Sequence, residues 1–255
     1  MQPGVFSFSS FDGRMIAYRI LGERGRPTLM IHGFMADAEL NWIQPGIAGA
    51  IVAAGGQAIL PDLRGHGGSK QGADPAAYPE DALARDQLAL LAHLGLDAPE
   101  IDLVGYSLGA RTAVRMMAAG ARPRRVALGG MGGAGIVDVT RRQAQFMALI
   151  NRSPAAPQAA VAFVDRMIAD RKLDRAELIL VLAQQRSTPP EVLATLRSPT
   201  LVIAGERDAD NGSPEELAAL LPIARVRRTG GDHLSAVSDP GMALGIAEFL
   251  AAASV

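Results

Sequence analysis

The sequence alternates short apolar runs, most of them ending at a glycine, with amphipathic helical patterns. Clear examples are PTLMIHG at 27–33, QAILPDLRG at 57–65 and IDLVG at 101–105. Runs of this length are typical of buried strands, and the helical patterns between them predict crossover helices. Because parallel strands joined by helices form one sheet covered on both faces, we predict an α/β fold with a mostly parallel sheet.

The chain departs from this alternation in two places. Near the N-terminus, partly alternating residues around Asp12-Gly13 predict a β-hairpin, since this dipeptide favours tight turns. From 136 to 197 only helical patterns occur, separated by prolines. We therefore predict an α/β core over residues 1–135 and 198–255, with a helical insertion over 136–197.

Composition and charge exclude several functions. The 255 residues are 49% hydrophobic and 20% charged, with a formal net charge of −1, which argues against nucleic acid or an anionic membrane as a partner. Cysteine is absent, so disulfides, a catalytic thiol and thiolate metal sites are excluded. Since the sequence has neither a signal-peptide pattern nor an apolar run of roughly 18 residues, we expect a cytoplasmic protein that acts on a small molecule.

Ser107 lies between two glycines where a strand pattern becomes a helix pattern, in the stretch VGYSLGARTA. This spacing suits a nucleophile on a sharp turn, where side chains two residues before and after would collide with neighbouring backbone. The alternative is an ordinary tight turn, since a lone G-x-S-x-G pattern is weakly specific. The nucleophile hypothesis therefore depends on a base and a carboxylate elsewhere in the chain.

Asp208 and His233 supply these groups, each soon after a predicted strand. Because the carboxyl ends of parallel strands meet at one edge of a sheet, such residues can come together. A histidine can accept the serine proton, and a carboxylate fixes its tautomer and stabilises the imidazolium. Asp210 is the alternative acid. We interpret His66 as structural and His32 as shaping the loop that follows it, with pocket lining as the alternative for His32.

Two backbone N–H groups are candidates for stabilising an oxyanion. Leu108 begins the helix after the serine, so its N–H can point at the developing charge. The loop after an earlier strand, IHGFM at 31–35, can turn at Gly33 and offers the N–H of Phe34 as a second donor. We predict that these two groups form an oxyanion hole.

Together these motifs resemble the α/β-hydrolase fold superfamily, in particular its serine hydrolases and esterases with a helical cap. The resemblance is carried, in family order, by HGF (32–34), DLRGHGGS (62–69), GYSLG (105–109), GERD (205–208) and GDH (231–233). It implies a mostly parallel α/β-hydrolase sheet flanked by helices, with an inserted all-helical cap. It also implies a catalytic triad of Ser107, Asp208 and His233, with Phe34 and Leu108 as the oxyanion hole.

The predicted cap helices carry apolar stripes, one of which must face the active-site crevice. We predict a substrate pocket lined by the tryptophan and by residues of these stripes: Trp42, Phe146, Met147, Ile150, Phe163 and Met167. Packing of Trp42 in the core is the alternative. The few charges expected in the cap argue against a highly charged substrate.

The predicted function is a serine hydrolase that cleaves a small-to-medium apolar carboxylic ester through an acyl-enzyme, without cofactor or metal. C–C bond, lactone or thioester hydrolysis and cofactor-free perhydrolysis are alternatives, because fold and triad do not define the substrate. A ligand-binding protein on a hydrolase scaffold is an alternative of another class.

A nucleotide-dependent oxidoreductase is a further alternative, and it rests only on GMGGAG at 130–135. This stretch matches the glycine pattern of dinucleotide-binding folds but lacks the second strand and the acidic residue of such a unit. We interpret it as a flexible junction between the sheet and the cap.

Overall fold

The computed structural model describes residues 4–252, so residues 1–3 and 253–255 of the predicted core lie outside it. Within this range the strands are β1 (Val5–Ser9), β2 (Met15–Leu21), β3 (Arg26–Ile31), β4 (Gly56–Pro61), β5 (Asp102–Tyr106), β6 (Arg125–Gly129), β7 (Thr200–Gly205) and β8 (Ala224–Thr229). They form one sheet in the order β1-β2-β4-β3-β5-β6-β7-β8.

The sheet is mostly parallel, as predicted. Only the pairs β1–β2 and β2–β4 are antiparallel, and every other neighbouring pair is parallel. The predicted hairpin at Asp12-Gly13 is confirmed, because it joins β1 to β2. The parallel strands β3, β5, β6, β7 and β8 therefore end at the same edge of the sheet, where loops from distant parts of the chain meet.

The helices are α1 (Ile47–Ala53), α2 (Ala82–His93), α3 (Leu108–Ala118), α4 (Gly133–Val137), α5 (Thr140–Ile150), α6 (Gln158–Asp170), α7 (Arg175–Ala183), α8 (Pro190–Leu193), α9 (Pro214–Leu220) and α10 (Pro240–Ala251). Apolar residues of α2, α3 and α9 belong to one buried cluster, and those of α1 and α10 belong to another. Every residue of β5, β6 and β7 is buried, as expected for strands covered on both faces. None of the helices in the described range is long and apolar enough to cross a membrane.

The chain between β6 and β7 contains the helices α4 to α8 and no strand. Three of these helices, α5, α6 and α7, share a small apolar core that also includes Met35 from the loop after β3. The buried members of this core are Met35, Ile150, Val164, Ile168, Leu173, Leu178 and Leu182. The division into an α/β core and a cap over 136–197 stays a prediction.

The glycine-rich segment 130–135 packs against the loop that follows β7. A Cβ on Gly132 would lie 2.1 Å from the carbonyl oxygen of Gly212, and the N–H of Gly135 donates a hydrogen bond of 2.8 Å to the carbonyl of Asn211. The segment joins β6 to the helical stretch as interpreted, but this close packing argues against its being flexible. Its glycines allow two backbone segments to approach closely, and part of the segment is helix α4.

This close approach predicts that Gly132→Ala lowers the free energy of unfolding. The added methyl group would force two backbones apart, at a cost of about 1–3 kcal/mol. Gly49→Ala is the matched control, since Gly49 is exposed in α1 and a Cβ there meets nothing within 4 Å. We expect the control to be neutral or stabilising by up to ~1 kcal/mol. Urea unfolding compares the two variants, and equal effects would contradict the explanation.

Candidate active site

Ser107 occupies a sharp turn between β5 and α3. Its backbone angles are φ 52° and ψ −109°, a conformation that a residue with a side chain adopts only when its surroundings enforce it. A Cβ on Gly105 would lie 2.3 Å from the carbonyl oxygen of Gly109, and a Cβ on Gly109 would lie 1.9 Å from that of Ile31. Both glycines are therefore sterically required at this turn.

The structure brings the three predicted reactive side chains into one hydrogen-bonded row. Nε2 of His233 lies 3.0 Å from Oγ of Ser107, and Nδ1 lies 3.0 Å from Oδ2 of Asp208. With the proton on Nδ1, the imidazole donates to the buried carboxylate and its Nε2 accepts from the serine hydroxyl. This is the arrangement that a histidine needs in order to remove the serine proton during attack.

The other carboxylates near this row have different partners. Asp210, the alternative acid, forms an ion pair with Arg142 at 2.5 Å, and only its backbone N–H contacts Asp208, at 3.2 Å. The carboxylate of Asp232 accepts hydrogen bonds from N–H groups of its own turn. The geometry therefore puts Asp208 on the histidine and leaves the neighbouring acids out of the row.

Two residues that the sequence analysis did not single out hold the loops that carry His233 and Asp208. The hydroxyl of Tyr106 donates a 2.7 Å hydrogen bond to the backbone carbonyl of His233. Arg111, which is 8% exposed, donates to the carbonyl of Gly135 at 2.7 Å and to Oδ1 of Asn211 at 2.8 Å. The sequence signal that could have indicated Arg111 was a charged residue on a mostly apolar helix, one turn after Ser107.

Arg111 is a buried cation held by neutral groups. Its three hydrogen-bond partners are a backbone carbonyl and two side-chain amides, and it forms no ion pair in the part of the chain that the structure describes. Burial lowers the pKa of Arg111 to about 10, since desolvation disfavours the charged form. Its contacts tie α3 to the loop that carries Asp208 and to the C-terminal end of α7.

The two predicted oxyanion donors remain available to a ligand. Neither the N–H of Phe34 nor that of Leu108 donates a hydrogen bond within residues 4–252. The N–H of Gly33, just before Phe34, donates to Oδ1 of Asn41 at 2.8 Å. Asn41, which accepts this N–H, is a further residue beside the site that the sequence did not indicate.

Two buried histidines hold the loop after β3. Nε2 of His66 accepts a 3.0 Å hydrogen bond from the N–H of Met35, which has a positive φ of 55°, and its Nδ1 faces the carbonyl of Arg64. Nε2 of His32 accepts from the N–H of Leu63 at 2.8 Å. Burial lowers the pKa of both histidines, and that of His66 falls to about 3. Neither lines the cavity described next.

A cavity of about 580 Å³ opens at Ser107, a size that suits a small ligand. Its apolar walls come from the loop after β3, from α5 and α6 and from the segment after His233. Of the predicted pocket residues, Phe146, Phe163 and Met167 line it. The additional apolar residues that line it are Phe34, Met35, Ala36, Leu40, Leu149, Ala160, Val164, Leu234 and Val237.

Three predicted pocket residues lie elsewhere. Trp42 is fully buried in the core cluster that includes Met30 and Ile47, so its prediction as a pocket residue is wrong. Met147 and Ile150 pack into the small core shared by α5, α6 and α7. Neither lines the cavity. Position 147 is rotated from the stripe of α5 at residues 142, 146 and 149, whereas Ile150, four residues after Phe146, lies beside that stripe and is buried at the end of the helix.

The cavity also carries more charge than the sequence analysis expected. The charged residues that line it are Arg142, Arg166, Asp170, Arg171 and Asp210. Most of them come from the ends of helices α5 and α6, where the apolar stripes give way to polar positions. In the described part of the chain, no group of three or more His, Asp and Glu side chains is arranged to hold a metal ion.

Comparison with known families agrees with this geometry. The model of the alpha/beta hydrolase family matches residues 28–244 of the chain. The chain belongs to the alpha/beta hydrolase family. The matched range includes Ser107, Asp208 and His233, the two N–H donors, and the buried residues Asn41, His32 and His66.

One curated relative is similar in sequence to most of the chain. The chain is 32% identical over 221 residues to the dihydrolipoyllysine-residue acetyltransferase component of the acetoin cleaving system of Pseudomonas putida. The aligned region covers 77% of this chain and 56% of that protein, so the chain spans little more than half of its length.

Two solved structures have the same fold over nearly the whole chain. Rv0554 from Mycobacterium tuberculosis has a TM-score of 0.75 at 20% identity, covering 99% of this chain and 100% of its own. The esterase RhEst1 from Rhodococcus sp. ECU1013 has a TM-score of 0.73 at 24% identity, covering 98% of this chain and 99% of its own. The alpha/beta hydrolase fold is therefore shared at low sequence identity.

The buried histidines predict a loss of stability in acid. In the unfolded chain a histidine has a pKa of 6.5, whereas that of His66 is about 3 in the folded protein. Between these pH values the unfolded state binds the proton more tightly than the folded state. As the pH is lowered, the free energy of unfolding therefore decreases by up to ~1.4 kcal/mol per pH unit for this residue.

His66→Gln tests this expectation, because a glutamine oxygen can accept the N–H of Met35 without binding a proton. We expect the variant to lose less stability than the parent between about pH 7 and about pH 5, as measured by urea unfolding. His93→Gln is the control, since His93 is exposed on α2, and it should keep the pH dependence of the parent. The same loss in His66→Gln as in the parent would contradict the assignment.

Proposed function

We propose that this alpha/beta hydrolase is a serine esterase, with Ser107 as nucleophile, His233 as general base and Asp208 as the acid that orients the base. The observation that carries the proposal is the hydrogen-bonded row of these three side chains at the edge of a cavity with mostly apolar walls. RhEst1, which shares the fold, is described as an esterase, and this agrees with the proposal.

The proposed reaction has two steps. Oγ of Ser107 attacks the ester carbonyl carbon while its proton passes to Nε2 of His233, and the N–H groups of Phe34 and Leu108 stabilise the oxyanion. The intermediate then collapses to an acyl-enzyme as the imidazolium protonates the departing alcohol. Water, deprotonated by His233, attacks the acyl-enzyme and releases the carboxylic acid and the free serine.

The apolar walls of the cavity support an ester with a small-to-medium apolar part. Phe146 and Leu149 from α5 and Val164 and Met167 from α6 face this space, and each buried CH₂ of a ligand contributes about 0.8 kcal/mol. In this proposal the helical stretch 136–197 serves as a cap that excludes water from the acyl chain.

The alternative functions would involve the same three side chains. A ligand-binding protein on a hydrolase scaffold does not need an aligned base and acid, so the complete row favours catalysis. C–C bond, lactone and thioester hydrolysis and perhydrolysis would use the same three side chains, and no contact in the cavity favours one of them over ester hydrolysis.

Ser107→Ala tests the proposed nucleophile. We expect kcat for p-nitrophenyl esters to fall by at least about 10³-fold, because the acyl-enzyme can no longer form. Labelling of the parent by a fluorophosphonate probe should also disappear. Ser153→Ala is the serine control, because Ser153 lies between α5 and α6 and does not line the cavity. Ser69 is not suitable, because it is buried and its Oγ accepts the N–H of Ala17.

The outcomes of this experiment separate the hypotheses. Turnover that survives in Ser107→Ala would exclude this serine as the nucleophile. A parent that neither hydrolyses esters nor reacts with the probe would favour the ligand-binding alternative. A parent that reacts with the probe but hydrolyses only thioesters or lactones would keep the triad and change the substrate class.

Met167→Ala tests the proposed role of the helical stretch in binding the acyl chain. We expect the preference for p-nitrophenyl octanoate over the butanoate, measured as the ratio of kcat/KM values, to fall about threefold or more, because part of the apolar wall is removed. Met147→Ala is the matched control, since Met147 lies on the same bundle of helices but outside the cavity. Equal effects of the two substitutions would contradict a cap that contacts the acyl chain.

A further inference from the structure

The face of α6 that lines the cavity is apolar until its C-terminal end. Ala160, Val164 and Met167 are spaced four and three residues apart, which puts them on one side of the helix. Arg171, four residues after Met167, continues this row as the residue that ends the helix. All four residues line the cavity, so an apolar wall leads to a single guanidinium group.

Among the described residues, Arg171 has no counter-ion. It is half-buried, and it forms no ion pair with any residue in 4–252. Its hydrogen bond is a long one, 3.5 Å from Nη1 to the carbonyl of Met167. A guanidinium on the cavity wall without an ion-pair partner among the described residues can gain free energy by hydrogen-bonding to an anion that enters the cavity.

Arg142, which lines the cavity from α5, differs from Arg171 in having an ion-pair partner. Arg142 is neutralised by Asp210, and its guanidinium stacks over the ring of Phe146 at 4.5 Å from the ring centroid. Its charge is therefore already satisfied by the protein. Arg171 is the cavity arginine whose charge is both half-buried and uncompensated among the described residues.

The surroundings of Arg171 leave a surplus of positive charge. Arg166 also lines the cavity, is exposed, and forms no ion pair within the described range. Asp170 lies on the same rim and is exposed, but its carboxylate forms no ion pair with either arginine. A ligand anion therefore meets two unpaired guanidinium groups and one carboxylate that weakens their attraction.

We propose that the substrate carries a carboxylate at the far end of its apolar acyl chain, and that Arg171 binds this carboxylate while Arg166 attracts it from the rim. The planar guanidinium matches a carboxylate with two parallel hydrogen bonds. The substrate class is then a half-ester of a dicarboxylic acid. This inference rests on the proposed ester hydrolysis and replaces the expectation that the substrate has no strong charge.

The test compares two acyl chains that differ only in charge. The p-nitrophenyl monoesters of adipic and suberic acid carry a terminal carboxylate, and the matched substrates carry a terminal carboxamide. We expect the parent to prefer the carboxylate by about tenfold or more in kcat/KM, as for a charged hydrogen bond. Arg171→Gln should remove most of this preference and leave only the weaker attraction of Arg166, whereas Arg171→Lys should keep more of it.

Two further variants sharpen the comparison. Asp170→Asn should raise the preference for the carboxylate, because it removes the repelling charge from the rim. Arg141→Gln is the matched control, since Arg141 is an exposed residue of α5 that does not line the cavity. It makes the same change in net charge and should leave the ratio as it is in the parent.

A ratio near one in the parent overturns the inference, and so does an equal loss of the ratio in Arg171→Gln and Arg141→Gln. An equal loss of kcat/KM for both substrates in Arg171→Gln also overturns it, because that result indicates a structural role. Neutral p-nitrophenyl hexanoate separates this failure from that of the proposed function. If the hexanoate is hydrolysed and the ratio is one, only the inference fails; if no ester is hydrolysed, both fail.

Discussion

The active site depends on how closely helix α3 approaches strand β3. Gly109 lies so near the carbonyl of Ile31 that a Cβ would be 1.9 Å from that oxygen. This contact requires the sharp turn at Ser107, with its positive φ, and it directs the start of α3 toward the loop after β3. The N–H groups of Leu108 and Phe34 thereby come from two elements whose backbones are in contact.

The loops around this turn are held mainly by neutral groups. Two histidines kept neutral by burial link the loop after β3 to the loop after β4, since His66 accepts the N–H of Met35 and His32 accepts that of Leu63. The hydroxyl of Tyr106 holds the loop of His233. The loop of Asp208 packs on the glycines at 130–135 and on Arg111. Within the described residues, the carboxylate hydrogen-bonded to His233 is that of Asp208.

Much of the fold followed from local patterns, and the misses have physical reasons. The predicted strands and the hairpin at Asp12-Gly13 are present because apolar runs bounded by glycine have few other ways to bury themselves. Helix α9 went unpredicted although Ser213 caps it by accepting two N–H groups, a local signal. Trp42 was misassigned because an apolar side chain after a loop suits both a pocket and a core, and only its neighbours decide.

The sequence by itself determined the order and chemical types of the reactive groups, because strand ends and glycine spacing are local properties of the chain. Only the tertiary structure decided which groups meet. It paired His233 with Asp208 rather than Asp210, packed Met147 and Ile150 into the core shared by α5, α6 and α7, and left Arg171 on the cavity wall with no ion-pair partner among the described residues. These outcomes depend on distances between segments far apart in the chain, and side-chain partners are chosen by packing and charge after those segments have come together.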